Sequence, residues 1–177
     1  EEITGKKKEG LMKVFVDINA NFTKVFAKLS DGGIAELRLE NPERPFEGGL
    51  IIRAQPKGKR VNRLEALSGG EKSLTALALI FAIQEYAPSP FYVLDEVDMF
   101  LDGVNAEKVA MLVKEHSAQA QYLMVSLRKV TLKEADHVYG VTMTADQQTQ
   151  IVGEVRIDEI VEEPAPEMPK ELAAVKT

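Results

Sequence analysis

A chain of 177 residues, 45% hydrophobic and 28% charged, is large enough for one domain with a substantial core. Zero cysteines exclude disulfides and thiolate metal sites, and no apolar run approaches the roughly eighteen residues of a membrane-spanning helix. A net charge of −6 argues against nucleic-acid binding over the whole surface.

The N-terminus is charged and carries no apolar leader, so no secretion signal is read and a cytoplasmic setting is expected. His116 and His137 lack ligand-like spacing and read as surface or filler positions. Charge is uneven along the chain. Arg53, Lys57, Lys59, Arg60 and Arg63 form a basic stretch, which either contacts DNA or is a solvated loop. Glu154, Asp158, Glu159, Glu162, Glu163 and Glu167 load the far end.

Residues 1 to 10 are charged and are expected to fray; the start reads as cut from something longer. Leu11, Phe15, Ile18, Phe22, Val25 and Leu29 then recur with alternating gaps of four and three, the seam of a packed helix whose first turns continue a coiled coil. Asp31-Gly32-Gly33 stops it. Ala35, Leu37 and Leu39 alternate as a strand, the Asn41 to Pro45 stretch turns, and Gly49 to Ala54 makes a second strand. An irregular basic loop leads to Leu67-Ser68-Gly69-Gly70-Glu71-Lys72-Ser73 and an apolar helix from Leu74 to Tyr86, expected to be largely buried.

Phe91-Tyr92-Val93-Leu94 reads as a buried parallel strand that delivers Asp95 and Glu96 to its C-terminal edge. A helix over Asn105 to Ala118, a strand over Tyr122 to Ser126, a short helix over Val130 to Ala135, and a strand pair over His137 to Met143 and Thr149 to Val155 follow. The alternation predicts an α/β fold with parallel core strands and a smaller antiparallel part. The expected division is a coiled-coil end and leading helix over 1–30, a globular lobe over 31–163, and a mobile tail over 164–177.

Ser68 before two glycines makes a helix N-terminus whose first N–H groups lack partners, a place for an anion or only a cap. Asp95 and Glu96 at a strand end suit a divalent metal and a general base, or are acids that merely reach the surface. Asp98 and Asp102 bring the acids to four within eight positions.

Leu67-Ser68-Gly69-Gly70-Glu71 together with Val93-Leu94-Asp95-Glu96 resembles the signature motif and Walker B strand of ATP-binding-cassette ATPases. With the flanks Leu74 to Ile83, Pro88 to Asp98 and Ala135 to Met143, the chain resembles the C-terminal head lobe of a structural maintenance of chromosomes (SMC) protein, from about Ile18 to Met143. The resemblance implies a head assembled from N- and C-terminal lobes, and a dimer of two heads enclosing ATP and magnesium. It implies that Ser68, Gly69, Gly70 and Glu71 meet the nucleotide held by the opposite head. It casts Asp95 as metal ligand, Glu96 as catalytic base, and Asp102 as the residue that communicates between sites. It further implies an N-terminal lobe, a second head (a homodimer), a kleisin subunit and DNA as partners, no membrane, and a role in chromosome condensation and segregation.

Two departures stand out. The switch-histidine position aligns with Leu127, leaving Ser126 as the nearest polar group near the γ-phosphate or as a structural strand end. Met99-Phe100 replaces small residues. No Gly-x-x-x-x-Gly-Lys-Ser/Thr loop occurs, so the chain alone is expected neither to bind ATP tightly nor to hydrolyse it. Gln84 reads as plain helix surface. The alternatives are the head of a double-strand-break repair relative, a transporter cassette, and a non-catalytic DNA-binding scaffold.

Overall fold

The computed structural model describes residues 2–59 and 64–155. Arg60, Arg63, the acids from Asp158 to Glu167, and the expected tail therefore lie outside the described residues.

Helix α1 (Glu2–Leu29) is continuous, so the expected fraying of its first residues is corrected. Glu and Lys dominate those turns and favour helix strongly enough to carry Gly5 and Gly10. The seam sinks into the core only toward the C-terminal end. Phe22, Val25, Phe26 and Leu29 are buried, whereas Leu11, Phe15 and Ile18 are half-covered. The helix ends where Asp31 and Gly32 adopt left-handed backbone, with φ of 53° and 94°. At Gly33 a Cβ would stand 1.9 Å from Ser30 Oγ and 2.9 Å from the Gln55 carbonyl oxygen, so only glycine lets the chain turn tightly here.

Strands β1 (Ile34–Leu39) and β2 (Leu50–Gln55) pair antiparallel, with Leu37 opposite Ile52. Ala35 and Leu37 face the core as the alternation predicts. Two polar side chains of α1 fasten β1 to it: Asn19 Oδ1 accepts from Leu37 N–H at 2.6 Å, and Thr23 Oγ1 donates to the Ala35 carbonyl at 2.8 Å.

Helix α2 (Gly69–Tyr86) begins directly after Ser68, ahead of its apolar run. It buries Leu74, Thr75, Leu77, Ala78, Phe81 and Ala82 but leaves Ile80, Ile83 and Tyr86 exposed, so its apolar arc is only partly covered. Gln84 is not plain surface, since its Oε1 accepts from the Tyr122 hydroxyl at 2.9 Å.

Strands β3 (Phe91–Asp95) and β4 (Gln121–Val125) pair in parallel, with Asp95 opposite Val125. Tyr92 and Tyr122 stack with centroids 4.9 Å apart on the covered face. Leu94, Tyr122 and Met124 join the same core as Phe81 of α2 and Val109 and Leu112 of α3 (Gly103–His116). The opposite face is open: Phe91 is 58% exposed, Val93 62%, Leu123 50% and Val125 53%. The expectation of a buried strand is thus half right. Parallel strands are normally covered by helices on both sides, and among the described residues only one side has such cover.

After the short helix α4 (Lys129–Leu132), β5 (Tyr139–Met143) and β6 (Thr149–Glu154) close the described chain as an antiparallel pair. The α/β class holds, with three two-stranded sheets among the described residues. His116 packs edge-on against Phe81, and His137 meets Glu154 at 2.5 Å, so both histidines serve local contacts. No described helix is long and apolar enough to cross a membrane.

Candidate functional site

The start of α2 is locally self-sufficient. Ser68 is in extended backbone, and its Oγ accepts from Glu71 N–H at 3.4 Å. The Glu71 carboxylate returns the favour, accepting from the Ser68 N–H and hydroxyl, both at 2.9 Å. Such a reciprocal capping box satisfies orphan donors at the helix end. Lys59 then grips Glu71, with Nζ at 2.8 and 2.9 Å from its two carboxylate oxygens. That ammonium, first, and Ser68, second, hold the Glu71 carboxyl below its ordinary value of 4.5. Of the first-turn donors, Gly69 and Gly70 N–H find no acceptor among the described residues. The end is therefore less bare than its sequence suggests, and the two glycine amides are what remains for an anion.

Lys59 is thereby committed to Glu71, and Arg53 lies 4.0 Å from Glu36. Both basic residues already face acids of their own lobe.

At the end of β3, Phe91, Val93 and Asp95 share the open face of the sheet, as residues two apart must. Asp95 is exposed, and its carboxylate has no hydrogen-bond partner among the described residues. Glu96 is exposed as well and adopts φ of 48°, left-handed backbone that costs a residue with a side chain about 1–3 kcal/mol. This turn takes the chain off the strand and places the two acids at one edge. Both acids reach the surface, one of the two readings the sequence leaves open, and the buried acid among the described residues is Asp98, only 2% exposed.

Asp98 was legible only as one acid too many. Its Oδ2 accepts from Ser126 Oγ and from Thr131 Oγ1, each at 2.5 Å. Ser126 Oγ in turn accepts from Arg128 N–H at 3.0 Å. The Ser126 proton is thus spent inside the lobe. Leu127, between these two anchored residues, is 90% exposed.

Asp102 caps α3, accepting from Asn105 N–H at 2.8 Å and Asn105 Nδ2 at 3.0 Å. The loop between the acids and this cap touches the glycine helix: a Cβ on Gly70 would lie 3.2 Å from the Phe100 carbonyl oxygen. The signature end and the acid-bearing loop are therefore neighbours within one chain, while Met99 and Phe100 project outward, 50% and 74% exposed.

No group of three or more His, Asp or Glu able to hold a metal exists among the described residues. A lone open carboxylate such as Asp95 still fits magnesium, which keeps several waters and takes one or two carboxylates plus phosphate oxygens.

A family model described as RecF/RecN/SMC N terminal domain matches residues 6–150. The chromosome partition protein Smc of Pyrococcus furiosus is 54% identical over 142 residues, which cover 80% of this chain and 12% of that protein. The Smc of Gloeobacter violaceus is 50% identical over 153 residues, 86% of this chain and 13% of that protein. The chain thus spans about an eighth of the length of the curated relatives it matches. Among solved structures, a P. furiosus Smc head domain with an extended coiled coil, bound to the C-terminal domain of ScpA, superposes with a TM-score of 0.80 at 49% identity, over 90% of this chain and 39% of that one. A chain from work on ATP-driven dimerization and DNA stimulated activation of SMC ATPases superposes at 0.79 and 45% identity, over 89% of this chain and 99% of that one. The matched span, residues 6–150, takes in the strands, the glycine-led helix and the acid-bearing turn, and the chain belongs to the RecF/RecN/SMC family.

Proposed function

We propose that the chain is the C-terminal lobe of an SMC ATPase head, and that it supplies half of each of two different ATP sites. The observation that carries this reading is the one-sided sheet. Asp95 and Glu96 stand at the rim of an uncovered apolar face, in a chain with no phosphate loop. An N-terminal lobe bearing that loop would cover Phe91, Val93, Leu123 and Val125. Each such side chain is already about half covered, so burying the rest contributes on the order of 1 kcal/mol.

In the assembled head, Asp95 is the residue that would hold magnesium, and the ion would neutralise phosphate charge there. Glu96, whose carboxylate has no hydrogen-bond partner among the described residues, accepts a proton from the attacking water. Gly69 and Gly70 N–H donate to the terminal phosphate presented by a second head, taken as a second copy, with Ser68 shaping that end. Asp102 links the two sites through the cap of α3. Head engagement and release would then follow the ATP cycle and drive DNA holding or movement in chromosome segregation. Because two similar heads are described as bound to ScpA, a kleisin is the expected further partner.

Ser68→Arg in the assembled head tests the reading. Steric bulk at the signature should abolish ATP-driven dimerisation, measured by gel filtration or light scattering, while ATP binding to the single head persists. Normal dimerisation of that variant would remove Ser68 from the interface.

A further inference from the structure

We infer that Asp98 is a positioning residue for turnover: it locks the segment after β4 to the Glu96 turn and so sets the aim of the general base. The inference rests on the reading of Glu96 as that base.

The two segments are tied twice, close together. Glu96 N–H donates to the Val125 carbonyl at 3.0 Å, and the next residue, Ser126, donates to Asp98 at 2.5 Å. Two ties so close in both segments fix rotation as well as distance. The turn is closed from within by Met99 N–H on the Glu96 carbonyl and Leu101 N–H on the Asp98 carbonyl, both at 3.1 Å. Thr131, only 6% exposed, extends the lock to α4, and Arg128 Nη2 returns to the Met99 carbonyl at 3.1 Å.

Chemistry makes this arrangement costly unless it is used. A carboxylate 2% exposed has given up its water. Among the described residues, two hydroxyl donors replace that water, both on one oxygen. Bonds of 2.5 Å from hydroxyl to carboxylate belong to the short, charge-assisted class. Glu96 meanwhile sits in a conformation that neighbours must impose. The lock is the nearest structure able to impose it. It also dictates the outward projection of Leu127, because residues 126 and 128 on either side are anchored.

The test uses the assembled head with Asp98→Ala and Thr131→Val, and steady-state ATPase kinetics. Thr131 is buried, and its hydroxyl donates to Asp98. Both variants should lower kcat, Asp98→Ala by ~10-fold or more as expected of outer-shell partners, with KM for ATP and ATP-driven dimerisation within about twofold of the parent. Thr131→Ser keeps the donor and should restore kcat. Combined with Glu96→Gln, neither change should slow turnover further. If Asp98→Ala does not fold, Thr131→Val with its Ser rescue carries the test alone. A parental kcat in folded Thr131→Val, or equal losses in the Val and Ser variants, overturns the inference. If Glu96→Gln itself leaves turnover intact, the base reading fails instead, so the two failures are distinguishable.

Discussion

Lys59 holds both carboxylate oxygens of Glu71, at 2.8 and 2.9 Å, across the mouth of the signature helix. The basic loop is thereby fastened to the very residue that caps the helix. The Glu71 carboxyl lies below its ordinary value, so the stabilisation it provides is fully present above pH 4.5 and is lost as pH falls through its folded value. Melting of the parent and Lys59→Ala between pH 7 and pH 3 checks this. At neutral pH the loss of this support should cost about 1 kcal/mol, the scale of one capping interaction, or roughly 2–4 °C in a domain of this size. The difference between the two proteins should vanish at the acid end.

The two faces of the β3–β4 sheet should respond to mutation in opposite ways. Phe81 is fully buried on the covered side, and Phe81→Ala should cost about 3–5 kcal/mol in the isolated lobe. Val93 is 62% exposed on the open side, and Val93→Ser should change the lobe's own stability by no more than about 0.5 kcal/mol. The same Val93→Ser should weaken assembly with an N-terminal lobe, read by titration calorimetry. Undiminished assembly would mean that the open face is not the docking face.

Glu96→Gln keeps shape and removes the proposed base. Turnover of the assembled head should fall by ~10²-fold or more, while ATP binding and head dimerisation survive. Single-turnover hydrolysis alongside gel filtration separates these outcomes.

Much of this was readable from residues. The seam of α1, the alternation of β1 and the Ser-Gly-Gly cap followed by an apolar helix each follow from local spacing, and each is found in the structure. Local pattern also misled in instructive places. Phe91 to Leu94 is uniformly apolar, which reads as cover on both faces, yet the second cover is absent from the described residues. The glycine end reads as bare in sequence, whereas Glu71 closes a capping box there. The burial and bonding of Asp98 were not readable because its partners Ser126 and Thr131 come from 28 and 33 residues away. No periodicity connects such positions. Only the parallel pairing of β3 with β4 brings them together.

The central claim is that this lobe is half of a site and is dormant without its complement. ATP turnover by the purified 177-residue chain, measured alone and after mixing with an N-terminal lobe that carries the phosphate loop, tests it most directly. The account predicts no turnover alone and magnesium-dependent turnover on mixing, lost again with Glu96→Gln. Hydrolysis by the chain alone, or none after a stable complex has formed, would contradict it.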